Sequence, residues 1–144
     1  MIVISVLGQS PVSWSYTTKK VADKTYEVHM TAVIQSGWHL YSQTQPKDAI
    51  AVPTTIKFNG NPLVKLNGKL KENGKLEKHK EPTLGIEAWQ YSGKVEFVQI
   101  VIVKGAKDPS TPLRTNISGS IEFQSCTDDK CLPPKTVEFN VRLN

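Results

Sequence analysis

The two cysteines of the chain lie close together near its carboxyl-terminal end. They are Cys126 and Cys131, in the segment SCTDDKCLPP, and the 144 residues contain no other cysteine. Their separation across a turn can bring the two Cα atoms within disulfide distance, and Pro133 and Pro134 would stiffen the chain that leaves the turn. The pair could therefore be a structural cross-link, half of a metal site, or a redox pair that opens and closes.

The other residues of the chain reduce these three alternatives to two. A zinc site needs about four ligands, and the three histidines, His29, His39 and His79, are scattered without the spacing of a ligand pair. We therefore expect no metal. Closing so short a ring stabilises a fold by only about 2 kcal/mol in the loop-entropy model. In a secreted protein, a cross-link and a redox pair both remain reasonable explanations.

The charges beside the cysteines do not activate either sulfur. Asp128 and Asp129 disfavour a thiolate, whereas Lys130 favours it. The alternation of residues 116–124 places Cys126 on the polar face of its strand, so we expect its thiol to be accessible. Any tuning of its reactivity must come from other parts of the fold.

Length and composition are those of one globular domain. The hydrophobic share is 38% and the charged share 22%, which is enough to bury a core without a cross-link. The net charge of +5 comes mostly from residues 65–80, which hold six lysines and two acidic residues. That segment has two Asn-Gly turn signals and no aromatic residue on which a base could stack. We interpret it as a solvated hairpin with a lysine-protected edge and expect no nucleic-acid binding.

The first ten residues, MIVISVLGQS, are mostly apolar but have no basic segment before the apolar run. We interpret residues 1–10 as the remnant of a secretory signal peptide or as residues added for expression. Residues 11–144 then form a single domain. No segment has the length of a transmembrane helix, so we expect no direct membrane insertion of this chain.

The segments that must position the cysteines alternate with a period of two, which predicts strands. In TYEVHMTAVI, residues 25–34, every second residue is apolar, while VEFVQIVIV, residues 95–103, is apolar on both faces and predicts a central strand. Residues 116–124 and 136–143, on either side of the cysteines, predict two antiparallel partners. No segment keeps a helical period over ten residues. The expected fold class is all-β, an immunoglobulin-like β-sandwich.

Three segments resemble a known family, the amino-terminal periplasmic domain of the DsbD thiol–disulfide interchange protein. They are FQSCTDDKCLPPKTVEF at residues 123–139, GWHLYSQ at 37–43 and WQYSGKVEF at 89–97. The resemblance extends over residues 14–143. It implies an immunoglobulin-like sandwich in which Cys126 and Cys131 are the redox pair, although the best-known members have one more residue between their cysteines.

The resemblance also implies a mobile cap loop that covers the cysteines, here near residues 88–93. Tyr91 has the best register for the shielding aromatic residue, Trp89 is a second candidate, and Gln90 lies where the best-known members carry carboxylates. Because an external thiolate must reach one sulfur in line, a reactive site has to be covered at rest and uncovered on docking.

Three further residues are expected to line the site. Strand alternation places His39 and Tyr41 on one face of their segment, and the resemblance brings that face near the cysteines. A protonated His39 would favour a thiolate, and Tyr41 could donate a hydrogen bond to it. Asp128, between the two cysteines, is the third lining residue.

The function that the resemblance implies is periplasmic thiol–disulfide exchange. The expected partners are thioredoxin-fold proteins, such as disulfide isomerases and cytochrome c maturation factors, bound through transient mixed disulfides to a monomer without a cofactor. The alternative is a non-catalytic β-sandwich that serves as an adhesion or binding module, with the cysteines as a fixed cross-link. The reduction potential of the pair distinguishes the two functions.

Overall fold

Antiparallel strands make up most of the chain in this computed structural model, which describes residues 10–104 and 115–143. The strands are β1 Val12–Ala22, β2 Thr25–Ile34, β3 His39–Tyr41, β4 Thr55–Phe58, β5 Val64–Gly74, β6 Glu77–Lys80, β7 Glu87–Tyr91, β8 Lys94–Val103, β9 Thr115–Phe123, β10 Ser125–Cys126 and β11 Lys135–Leu143. Residues 1–9 of the expected leader segment lie outside the described residues. Within the described ranges, no helix has the length and apolar character that crossing a membrane requires.

The strands pair into three sheets that pack as a sandwich. One layer has the order β1-β2-β8-β5, and the other consists of the sheets β10-β3-β7-β6 and β11-β9-β4. Only Gln124 separates β9 from β10, so these two strands join the two sheets of the second layer. The predicted all-β, immunoglobulin-like sandwich is confirmed. The cysteines follow β9 and precede its partner β11, as expected.

The core forms where the alternating faces of the two layers meet. In β2, the predicted inward residues are all buried: Tyr26, Val28, Met30, Ala32 and Ile34. The ring of Trp14 in β1 packs against Phe97 of β8 and Phe123 of β9, with ring centroids 6.0 and 5.5 Å apart. Because Phe123 lies just before the cysteine segment, this contact anchors that end of the second layer.

The lysine-rich segment, residues 65–80, is not a hairpin. It forms β5, which pairs with β8 of the first layer, and β6, which pairs with β7 of the second. The Asn-Gly turn signal at Asn67 and Gly68 lies at a bulge inside β5, where Gly68 has φ +77°. The chain does not reverse there, because β5 pairs with β8 on both sides of the bulge. The expectation of lysine-rich edges is met, since β5 and β6 are both edge strands.

The chain comes very close to itself at Gly119, in the middle of β9. Gly119 pairs with Phe58 of β4 on one side and with Phe139 of β11 on the other. A Cβ atom at this position would overlap the carbonyl oxygen of Lys57 and lie 2.8 Å from Cζ of Phe139. The third sheet therefore requires glycine here for reasons of space.

Candidate functional site

Cys126 and Cys131 are joined by a disulfide at the end of the second layer. The ring that they close contains a tight turn. The amide of Thr127 donates to the carbonyl of Lys130 over 2.7 Å, and the hydroxyl of Thr127 accepts from the amides of Asp129 and Lys130, each at 3.1 Å. The ring is thus held by hydrogen bonds as well as by the sulfur–sulfur bond.

The two cysteines differ sharply in exposure. Cys126 is only 1% exposed, whereas Cys131 is an exposed residue. Alternation correctly places Cys126 on the face opposite Phe123, but the expected accessibility of Cys126 is wrong. That face is covered at this point, because Cys126 pairs with His39 on one side and with Cys131 on the other.

Strand pairing determines which predicted residues share the face of Cys126. His39 pairs with Cys126, and Tyr41, two residues further along β3, pairs with Gln90 of β7. His39, Tyr41 and Gln90 therefore lie on the same face of the sheet as Cys126. Burial raises the pKa of Tyr41.

The structure does not bring Tyr91 to the disulfide. Tyr91 pairs with Leu40, and both side chains belong to the buried core, on the face opposite Cys126. Its hydroxyl donates to the carboxylate of Glu72 in β5. Burial first, and then the bond to Glu72 and its charge, raise the pKa of Tyr91 far above its usual range. The predicted shielding role of Tyr91 is therefore not met in this structure.

Trp89 also lies away from the disulfide, because it shares the face of Tyr91. Its indole nitrogen donates to a carboxylate oxygen of Glu87 over 3.0 Å, and the ammonium of Lys78 lies 4.8 Å from the centre of its ring. Of the three residues predicted for the cap, Gln90 alone lies on the face of Cys126.

A chain of polar contacts connects the disulfide ring to β6. The Nε2 atom of His39 lies 3.1 Å from Oδ1 of Asp128, and its Nδ1 atom lies 3.1 Å from the hydroxyl of Ser92. The same hydroxyl lies 3.2 Å from Oε1 of Glu77, which also accepts from the side-chain amide nitrogen Nε2 of Gln90 at 3.4 Å. We call Asp128, His39, Ser92 and Glu77 the histidine network.

His39 and Asp128 are predicted site residues, whereas Ser92 and Glu77 are not. Ser92 lies within the predicted cap segment 88–93 but has no predicted role there, and Glu77 lies in the lysine-rich segment, which indicates no site; both reach His39 through the pairing of β6, β7 and β3. Their single local signal is the turn that follows Tyr91, where Gly93 has φ +76°.

Two apolar cavities flank the disulfide ring. The first, of about 210 Å³, lies between His39, Asp128 and the two loops that carry Ile50 and Leu84. The second, of about 310 Å³, is lined mainly by Leu132, Pro133 and Pro134 beside Phe123. Ile50 and Leu84 are 72% and 64% exposed. Exposed apolar side chains thus lie at both cavities that flank the disulfide ring.

Comparison with known proteins identifies the family. Residues 10–143 match the family described as thiol:disulfide interchange protein DsbD, N-terminal. The chain belongs to this family. Cys126 and Cys131, which form a disulfide in this structure, lie within the matched residues.

The fold is also that of a solved structure, the N-terminal periplasmic domain of ScsB from Proteus mirabilis. The TM-score is 0.64 at 15% sequence identity, and the match covers 98% of this chain but 50% of that one. This chain therefore spans half the length of that protein chain, and the likeness concerns the fold. The comparison with curated protein sequences gave no match.

Proposed function

We propose that this domain exchanges two electrons with thioredoxin-fold proteins in the periplasm through the Cys126–Cys131 disulfide. The observation that carries the proposal is the unequal exposure of the two cysteines. A fixed cross-link gains nothing from an exposed sulfur, whereas exchange requires a sulfur that a partner thiolate can reach in line. A lasting disulfide also fits an oxidising compartment such as the periplasm.

The unequal exposure supports one order of the steps. A partner thiolate attacks the sulfur of Cys131, forms the mixed disulfide and displaces Cys126 as a thiolate. The second partner thiol, once deprotonated, attacks its own half of the mixed disulfide and releases Cys131 as a thiolate. After both thiolates take up protons, this domain is the dithiol and the partner is the disulfide, so two electrons have moved.

The surface around the ring fits a docked protein. Ile50 and Leu84 project beside one cavity, and Leu132 lies at the other, so apolar side chains border the disulfide ring on both sides. Burial of exposed apolar surface stabilises a complex by about 25 cal/mol for each Å² removed from water. A short-lived mixed disulfide needs only a small apolar contact of this kind.

The reduction potential of the pair is the first test. Purified domain is equilibrated with glutathione or dithiothreitol, and the thiols are alkylated and counted by mass. We expect a potential in the range of thioredoxin-fold carriers, about −120 to −270 mV. A value below about −300 mV would indicate a structural cross-link and favour the adhesion or binding module.

A trapping experiment tests the attacked sulfur. The single-cysteine variant C126A keeps the exposed Cys131, and its matched control C131A keeps the buried Cys126. With an activated thioredoxin that retains only its attacking cysteine, we expect C126A to form the mixed disulfide much faster than C131A. Equal rates would contradict the assignment of Cys131.

A further inference from the structure

The histidine network contains more acceptors than a neutral imidazole can satisfy. The carboxylate of Glu77 can only accept, so the single hydroxyl proton of Ser92 points to Glu77. The Ser92 oxygen must then accept a proton from Nδ1 of His39. Asp128 is also an acceptor only, so Nε2 of His39 must donate to it. With these contacts, both ring nitrogens of His39 face oxygen atoms that can accept, so the geometry favours an imidazole that holds a proton on each nitrogen.

His39 is paired with Cys126, the cysteine that leaves when the disulfide opens. His39 is the direct cross-strand partner of Cys126 on the same face, where opposite Cβ atoms are about 5 Å apart. Cys126 is buried, so water cannot stabilise its thiolate, and an uncompensated buried charge is costly. A proton donor next to Cys126 would neutralise this thiolate and remove the cost of the buried charge.

The other charged groups near His39 do not replace it. Asp128 approaches from the ring, but its side chain is 81% exposed, so its pairing with His39 is weak and easily exchanged. His79, Glu81 and Glu87 line the same cavity as His39. Lys130 of the ring points its ammonium to the ring of Trp38, at 5.9 Å.

We propose that Glu77 and Ser92 are positioning residues that hold His39 as the proton donor for Cys126. This inference rests on the proposed exchange function. When a thiolate attacks Cys131, a new sulfur–sulfur bond forms, the Cys126–Cys131 bond breaks, and its electron pair stays on Cys126. The Nε2–H of His39 then leaves Asp128 and transfers its proton to the Cys126 thiolate. The products are a thiol and a neutral imidazole, and oxidation reverses the step.

The test uses a small thiol, so it does not depend on a partner protein. The rate constant for reduction of the wild-type disulfide by dithiothreitol is measured across pH and divided by the concentration of dithiothreitol thiolate. We expect this constant to fall as the pH rises. In E77A and S92A the fall in rate begins at lower pH, and the rate at pH 7 is roughly three- to tenfold lower.

The sign of the rate change in E77A distinguishes a positioning role of Glu77 from a simple effect of its negative charge. Removing the negative charge of Glu77 would, by itself, speed the attack of an anionic thiolate. The matched control D129N removes a charge inside the ring but outside the network, and we expect it to be slightly faster with an unchanged profile. H39Q should show a flat profile, on which E77A has no further slowing effect.

Each of the following results would contradict one part of this proposal. An S92A profile that equals the wild type contradicts the relay, and a faster E77A without a shifted profile reduces Glu77 to a surface charge. An H39Q profile like the wild type removes His39 as the donor. The pH dependence of the His39 imidazole signals, followed by NMR, gives a second readout in the same variants. The reduction potential and the thioredoxin trap test the exchange function separately, so the two failures are distinguishable.

Discussion

Tyr91 connects the two layers of the sandwich through its hydroxyl group. It projects from β7 into the core and donates to Glu72 of β5. The carboxylate of Glu72 also accepts from the hydroxyl of Ser42 at 2.6 Å and from the amide of Gln43 at 3.0 Å. The aromatic residue that the sequence suggested as a shield thus has a structural role in this fold.

We therefore expect Y91F to change stability and leave reactivity unchanged. Loss of a hydrogen bond to a charged partner should lower the free energy of unfolding by about 1.5–3 kcal/mol. The rate at which dithiothreitol reduces the disulfide should equal that of the wild type. Urea unfolding measures the first quantity and timed alkylation the second. Unchanged stability in Y91F would contradict the role of the Tyr91 hydroxyl in connecting the two layers.

At the scale of strands, β9 determines how closely β4 and β11 can approach. Gly119 is the contact point, because the carbonyl of Lys57 and the ring of Phe139 occupy the space of a side chain. The Phe139 ring in turn packs against Tyr16 and Phe58, with centroids 5.4 and 5.6 Å away. A shift at Gly119 would therefore spread into the core.

We expect G119A to destabilise the domain by about 1–3 kcal/mol or more, the usual result of overpacking. The matched control is G60A, since a Cβ atom at Gly60 has no neighbour within 4 Å. Urea unfolding should show a lower free energy of unfolding in G119A and little change in G60A. Equal stability of both would mean that β4 can move away from β9 at no cost.

The stability of the whole molecule should depend on pH through an ion-pair cluster on the outer face of the first layer. His29 of β2 lies 2.9 Å from Glu27 and 3.0 Å from Glu96. Partial burial lowers the pKa of His29, but hydrogen bonds and charges from Glu96 and Glu27 outweigh it and raise the pKa overall. The bond to His29 is the main reason that the pKa of Glu96 is lowered.

These shifts define the pH range in which the cluster stabilises the fold. The raised pKa of His29 contributes to the free energy of unfolding fully below about pH 6.5, and this contribution is lost as the pH rises through the folded pKa. The lowered pKa of Glu96 contributes to the free energy of unfolding above about pH 4.5, and this contribution is lost in acid. We expect H29Q to be less stable than the wild type by up to about 1 kcal/mol near pH 6, and equal to it above the folded pKa of His29.

Urea unfolding at pH 6 and pH 8 measures this difference. The matched control is H79Q, on the exposed strand β6, for which we expect the same stability as the wild type at both pH values. A loss in H29Q that is equally large at pH 8 would show that His29 stabilises by packing and not by its charge.

The sequence predicted the parts of the fold that depend on local alternation. The inward face of β2 and the place of the cysteines between β9 and β11 follow from periods of two, and the central position of β8 follows from a segment that is apolar on both faces. The accessibility of Cys126 and the direction of Tyr91 could not be predicted, because they depend on which strand pairs with which. The contacts of His39 with Ser92 and Asp128 join residues 53 and 89 positions apart, so no local pattern indicates them.

The turn inside the disulfide ring has a consequence for the reduced domain. Its bonds from Thr127 to Asp129 and Lys130 involve no sulfur atom, so opening the disulfide does not remove them. The two thiols then remain at a high effective concentration with respect to each other. Closure of the ring is correspondingly favourable, because the backbone of the turn already holds the two cysteines close together.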